Sequence, residues 1–151
     1  MTSGEGAGGL NEERSTKHSW WVTFYQLAHS DTRWAKDQAW RTIGIAFALF
    51  SAILALYKYP FRDAAVGAFQ LIALLVAILA AAHICLLHHF AKESRGITDA
   101  IREELGEPIM KVLPARGSDP NHLLYLILHL GVVAVGTAIT IRGLEWIHLT
   151  G

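Results

Sequence analysis

Apolar residues in this chain are gathered into three long stretches, separated by segments in which charged and polar residues return. The stretches cover residues 42–57, 66–87 and 123–141. A bilayer core of roughly 30 Å takes about 20 residues of helix, and the second and third stretches meet that length. The first stretch reaches it once Arg41 and Lys58 extend their charged ends to the two interfaces. The pattern predicts three transmembrane helices, at about residues 41–58, 66–88 and 122–142.

The segment before the first span has a helical period of its own. Its aromatic and apolar residues recur at helical spacing, while most charged residues fall on another face. These apolar residues are Trp20, Phe24, Leu27 and Trp34. We expect an amphipathic helix that either lies flat at the membrane interface or continues directly into the first span. The Gly-rich residues 1–17 have no such period and are predicted to form a disordered tail.

The segment between the second and third spans, residues 89–121, is predicted to be a cytoplasmic loop. Its first part continues the second helix to Leu105, where Gly106 and Pro108 provide a stop. Three spans leave too few residues for a second soluble domain. The predicted fold class is therefore all-α, an integral membrane protein with three transmembrane helices plus an N-terminal amphipathic helix. We expect a single helical membrane domain over residues 18–151.

Basic residues are distributed unevenly about the spans, although the formal net charge is zero. Five precede the first span and five follow the second, against two after the first span and one after the third. The positive-inside rule then predicts a cytoplasmic N terminus, a cytoplasmic 89–121 loop and a C terminus outside. The polar N-terminal residues contain no cleavable signal peptide, so the first span would act as the targeting signal. The predicted location is the bacterial inner (plasma) membrane.

Histidines are the candidate functional residues, because two of them lie inside spans at equal depth. His83 precedes the end of the second span and His129 follows the start of the third by similar numbers of residues. At a rise of ~1.5 Å per residue, both rings lie about 9 to 10 Å below the cytoplasmic interface. An imidazole inside a bilayer is a functional candidate, and two at equal depth suit bis-His haem b ligation. The alternatives are a hydrogen-bonded structural pair and the handling of protons or a quinone.

Motifs of known catalytic chemistry are not found in the sequence. It has no phosphate-binding Gly loop, HExxH, CxxC or nucleophile elbow, and no acidic residue at mid-depth in a span. The basic residues of the 89–121 loop are balanced by acidic ones, which argues against nucleic acid as a partner. No cysteine or carboxylate lies at metal-site spacing from His88, His89 and His122. We therefore expect these histidines to contact lipid headgroups instead of binding a metal ion. We expect no enzyme and no cofactor, with haem b as the alternative.

Each span also carries a ridge of small residues, which in lipid allows helices to pack closely. The ridges are Gly44, Ala48 and Ala52 in the first span, Ala73, Ala77 and Ala81 in the second, and Ala134 and Ala138 in the third. These ridges suit either a tight monomeric bundle or a homo-oligomer. The expected partners are the lipid bilayer and either further copies of the chain or other subunits of a membrane complex.

The N-terminal part of the chain passes from an amphipathic helix into a span, followed by a second span that continues as a cytoplasmic helix. The residues at the passage are Trp34, Lys36, Gln38 and Trp40. This layout, over residues 18–105, resembles the small bacterial SLATT-type two-span proteins; the third span goes beyond their pattern. Those proteins are membrane effectors of defence systems that perturb the bilayer on a signal, so the resemblance implies an oligomerising effector.

Two functions are expected from the sequence. The first is a non-enzymatic bacterial inner-membrane protein that acts through helix association, as an oligomerising effector, a small pore or an accessory subunit. The alternative is a haem- or quinone-binding membrane anchor subunit of a redox complex, with His83 and His129 as the ligands.

Overall fold

The computed structural model describes residues 6–58, 65–105 and 122–150, with side chains over 19–58, 65–103 and 122–150. These residues form three helices, α1 (Gly6–Lys58), α2 (Val66–Leu105) and α3 (His122–Thr150). All three are long and apolar enough to cross a membrane, by length and composition. The all-α fold class and the three candidate spans are thereby confirmed.

Helix α1 joins the predicted amphipathic segment and the first span in one continuous helix of 53 residues, Gly6–Lys58. This is the second of the two arrangements that the sequence allowed. The helix begins inside residues 1–17, where the sequence predicted a disordered tail. Adding residues to the end of an existing helix costs little compared with starting one, so a missing apolar period does not prevent helical backbone there. Residues 1–5 of that predicted tail lie outside the described residues.

Helices α2 and α3 both extend beyond their predicted spans. Helix α2 continues to Leu105, so the first part of the 89–121 segment is helical, as expected, and the rest of that segment lies outside the described residues. Helix α3 continues to Thr150. Arg142, the predicted end of the third span, pairs with Glu145 at 3.1 Å. Because the two charges are one turn apart on the same face, they support the helix instead of ending it.

The described residues divide into two compact units. The first contains α1 up to Trp34 and α2 from Phe90, and the second contains the remainder of both helices together with α3. The single helical membrane domain over residues 18–151 stays a prediction. In the first unit the rings of Trp34 and Phe90 meet edge to face, with 6.2 Å between their centroids.

The aromatic stripe predicted for the N-terminal part of α1 lies on the exposed surface of the first unit. Its members all expose roughly half of their surface or more: Trp20, Phe24, Leu27 and Trp34. The buried face instead carries Tyr25 and Ala28, which are 3% and 6% exposed. Exposed aromatic rings along one face are typical of contact with the interfacial layer of a bilayer.

The hydrophobic core of the second unit is formed by one face of α1 with residues of α2 and α3. Helix α1 supplies Ile43, Ala46, Phe50, Ile53 and Tyr57; α2 supplies Ala73, Ala80 and Ile84; α3 supplies Val133 and Leu144. Close approach of α1 and α3 requires a glycine. A Cβ atom built on Gly136 would lie 3.0 Å from the Phe47 ring and 3.2 Å from the Phe50 ring, closer than ordinary contact.

The predicted ridges of small residues occupy two different environments. On α2 the ridge is turned inward, with Ala73 fully buried and Ala77 and Ala81 half-buried. The ridges of the other two helices lie on the exposed surface: Gly44, Ala48, Ala52, Ala134 and Ala138. The prediction of a tight monomeric bundle in which all three ridges pack together is therefore wrong. In spans that are apolar on every side, small residues mark a shared face but do not specify which face turns inward.

Candidate functional site

A cluster of histidine and tryptophan rings lies where the three helices meet at one end of the second unit. Its members are Trp40 of α1, His88 of α2, and His122 and His129 of α3. The Nδ1 atom of His88 and the Nε2 atom of His122 are hydrogen-bonded at 3.1 Å. The His129 ring lies 5.8 Å from the His88 ring and 4.7 Å from the Trp40 ring, in edge-to-face geometry.

Helix geometry brings these rings together. His122 and His129 are seven residues apart, which is about two turns and places both on one face of α3. Helices α2 and α3 run antiparallel, because the His88–His122 bond joins the later part of α2 to the start of α3, while Gln70 near the start of α2 donates to Glu145 at 3.5 Å. The two helices therefore present their histidines at the same end of the unit.

His129 is the most unusual residue of the cluster, because it is only 2% exposed and neither ring nitrogen has a hydrogen-bond partner among the described residues. The Tyr125 carbonyl, one turn earlier, lies near the ring but makes no hydrogen bond of standard geometry with it. A neutral imidazole carries one donor and one acceptor, and burying such groups without partners costs about 1–3 kcal/mol. An uncompensated polar group inside an apolar helix bundle is a candidate for function.

His83 and His129, the predicted pair, have separate surroundings. His83 is exposed on α2, and its Nδ1 atom is hydrogen-bonded to the Thr42 hydroxyl at 3.0 Å. Since α2 turns about 100° per residue, His83 points about 140° away from His88, which contacts His129. Bis-His ligation requires both rings to face one iron atom, and this arrangement does not provide that. Haem b ligation by the pair stays a prediction without support from the geometry.

The other boundary histidines are engaged with each other. Among the described residues, no group of three or more His, Cys, Asp or Glu side chains is placed to hold a metal ion. His88 and His122 are both half-buried and share one hydrogen bond, which differs from the predicted contact with lipid headgroups. His89, the next residue on α2, is exposed, as headgroup contact requires.

Polar groups at the opposite end of the second unit are satisfied, in contrast to His129. The hydroxyl of Tyr57, a residue with no exposed surface, is hydrogen-bonded to Nδ1 of His148 at 2.8 Å. Glu145 receives hydrogen bonds from both Arg142 and Gln70. Burial in this fold therefore does not by itself deprive a polar side chain of partners.

Two residues of the site were missed at the level of sequence. Trp40 lies at the passage into the first span and is half-exposed, yet one edge of its ring packs against His129. Thr42 is the first residue of the first apolar stretch, and its hydroxyl is hydrogen-bonded to His83. The sequence signal that could have found Trp40 and Thr42 is their depth along the first span. Both lie at the start of the first apolar stretch, near the level of the histidines. Depth does not give the direction in which a side chain points.

No known protein family matches this chain, and comparison with curated proteins and with solved structures likewise finds no match.

Proposed function

We propose that this protein is a non-enzymatic bacterial inner-membrane protein that acts by association of its helices with further copies of the chain. It would serve as an oligomerising effector, a small pore or an accessory subunit of a membrane complex. Membrane location is supported by three helices of sufficient length and apolarity to cross a bilayer. It is further supported by the many large apolar side chains exposed along them, which are unfavourable in water.

The observation that carries the proposal is a stripe of small residues on α1 that the described part of the chain leaves uncovered. The stripe consists of small, exposed residues that share one side of the helix: Gly44, Ala48, Ser51, Ala52 and Ala55. A Cβ atom built on Gly44 would meet no atom within 4 Å. Helices in lipid associate through close backbone packing, which small residues on a shared face permit.

The exposed face of α2 differs from this stripe in side-chain size. It carries large aliphatic residues at the same helical spacing: Leu71, Leu75, Leu79 and Leu86. Such a face packs well against acyl chains and keeps a second backbone at a distance. The two helices thus differ in the way expected if α1 contacts another helix and α2 contacts lipid.

Energy transfer between labelled copies in liposomes tests the proposal. The single cysteine, Cys85, is exposed and takes donor or acceptor dyes without further engineering. We expect wild-type transfer to persist when the protein is diluted with lipid, and Gly44→Leu or Ala48→Leu to abolish most of it, since a leucine holds the backbones apart.

The matched control is Ala68→Leu, the same enlargement at an exposed position on the leucine-rich face of α2. It lies more than four turns from the label and should leave the transfer unchanged. Equal losses in the stripe variants and the control, or wild-type transfer no greater than random proximity in the bilayer gives, would contradict association through α1.

The orientation we propose has the N terminus and the segment between α2 and α3 in the cytoplasm, and the C terminus outside. Its support is the excess of basic residues, ten against three, on the two segments assigned to the cytoplasm.

A haem- or quinone-binding anchor subunit is the second candidate, favoured by the two unpartnered nitrogens of His129. The absorbance spectrum of the purified protein separates the two functions. Haem bound through His129 would give a Soret band that His129→Ala removes or shifts, because the axial coordination of the iron changes. The association function predicts a colourless protein.

A further inference from the structure

A groove of about 270 Å³ runs along the surface of the second unit between α1 and α2. Ala46 and Ala80 lie in its floor and are 2% and 7% exposed. Because each has only a methyl group, the larger residues beside them stand above the floor as walls. These walls are Ile45 and Leu49 on α1 and Leu79 on α2. The groove is therefore apolar along its floor and walls and is open on its outer side.

One end of the groove is polar. The Thr42 hydroxyl donates its hydrogen to the Gln38 carbonyl at 2.9 Å, so Nδ1–H of His83 must be the donor in the 3.0 Å bond that joins the two helices. The other ring nitrogen of His83, Nε2, takes no part in this bond. Gln38 and the exposed Arg41 complete the lining at this end. The groove thus carries one fixed positive charge at its polar end.

The length of the groove follows from helix geometry. Leu49 lies seven residues beyond Thr42 on α1, and Val76 lies seven residues before His83 on α2, which is about 10 Å along each helix. Since Thr42 and His83 are level with each other, the apolar part extends from this pair toward the middle of both spans. A lipid whose phosphate lies at this polar end and whose acyl chain runs along the groove has the same order of polar and apolar parts.

We propose that this groove binds an anionic phospholipid, with an acyl chain over the alanine floor and the phosphate at Arg41. The guanidinium group offers two parallel donors that match two phosphate oxygens. The Gln38 amide, one turn earlier, can donate to the same group, and Nε2 of His83 can hydrogen-bond to a headgroup hydroxyl. A zwitterionic headgroup carries its own cation beside the phosphate, which weakens the attraction to Arg41. The site therefore selects for net negative charge.

Native mass spectrometry of the full chain tests the proposal with phosphatidylglycerol and phosphatidylcholine of identical acyl chains, supplied in equal amounts. We expect the wild type to retain phosphatidylglycerol about tenfold better, which corresponds to ~1.4 kcal/mol. Arg41→Gln should abolish the preference. Arg33→Gln removes the same charge from an exposed position on the same helix, outside the groove, and should preserve it.

A second pair of variants tests the groove itself. Leu49→Ala removes one wall and should reduce retention of both lipids, whereas Leu56→Ala makes the same change at an exposed position of α1 outside the groove and should not. All four positions are exposed, so the fold is not at risk, and circular dichroism verifies helicity. Bound lipids are counted on single copies of the chain, so the result does not depend on self-association.

Three results would overturn the proposal. The first is equal retention of the two lipids by the wild type. The second is an equal effect of Arg41→Gln and Arg33→Gln, which would show a general effect of charge. The third is displacement of the lipid by ubiquinone with no effect of Arg41→Gln, which would assign the groove to a neutral ring held by His83 and Thr42.

Discussion

Replacing His129 with leucine is expected to stabilise the protein by about 1 kcal/mol. The imidazole is 2% exposed and its two nitrogens have no hydrogen-bond partner in the described part of the chain, so its burial costs about 1–3 kcal/mol. Leucine has a similar volume and carries no polar atom. The substitution also removes the edge-to-face contact with Trp40 at 4.7 Å, a loss of about 0.5–1.5 kcal/mol. On the midpoints of these ranges, relief of about 2 kcal/mol exceeds a loss of about 1 kcal/mol, so the net change in the free energy of unfolding is stabilising.

Unfolding of the purified protein by sodium dodecyl sulfate, followed by circular dichroism, measures this change. His88→Leu is the matched control, since it removes a histidine from the same cluster and breaks a real hydrogen bond, that to His122. Interhelical hydrogen bonds in membranes contribute about 0.6 kcal/mol on average, so this control should destabilise slightly. The two variants are thus expected to shift the unfolding midpoint in opposite directions.

If the His129→Leu variant is less stable than the wild type by about 1 kcal/mol or more, this reasoning is refuted. The imidazole would then have a partner that offsets the cost of its burial. If His129→Leu stabilises the fold but reduces self-association in the energy-transfer assay, His129 is a functional residue whose burial lowers the stability of the fold. Such an exchange of stability for function is common at functional sites.

Two further predictions concern packing and orientation. Gly136→Ala should destabilise the fold by about 1 kcal/mol in the same unfolding assay, because its methyl group would meet the buried ring of Phe50 at 3.2 Å. The control is Gly131→Ala, whose methyl group would meet no described atom within 4 Å and which should be neutral or slightly stabilising. A reporter enzyme active only outside the inner membrane should be active when fused to the C terminus and inactive when fused between α2 and α3, and the reverse pattern would invert the proposed topology.

The helices and their order could be predicted from the sequence because membrane spans follow from length and apolarity alone. The inward faces could not be predicted. In a water-soluble helix the polar face marks the outside, but the buried face of α3 includes the polar residues His129, Thr137 and Thr140, and apolar residues cover its exposed side. Within the predicted first and third spans, the buried alanine and glycine residues are Ala46 and Gly136, and the predicted ridges of both spans are exposed.

The candidate site was predicted in part for a related reason. Sequence position fixes the depth of a residue in a span through the helical rise, and it placed His83 and His129 at one level. Direction around the helix axis depends on which face packs, so the partners of His129 proved to be Trp40 and His88. A residue five positions from another on a helix points elsewhere, which is sufficient to separate His83 from His88.

Small residues of α2 make contacts within the chain, whereas those in the stripe of α1 are exposed and can contact another molecule. Ala73 and Ala80 of α2 are used inside the chain, in the core and in the groove floor, and both are buried. Gly44 and Ala48 of α1 are equally suited to close packing, and both are exposed in the part of the chain that the structure describes. If lipid were the only neighbour of that face, large aliphatic residues would cover it better, as they do on α2. A second helix is the neighbour for which a face of small residues is the better solution.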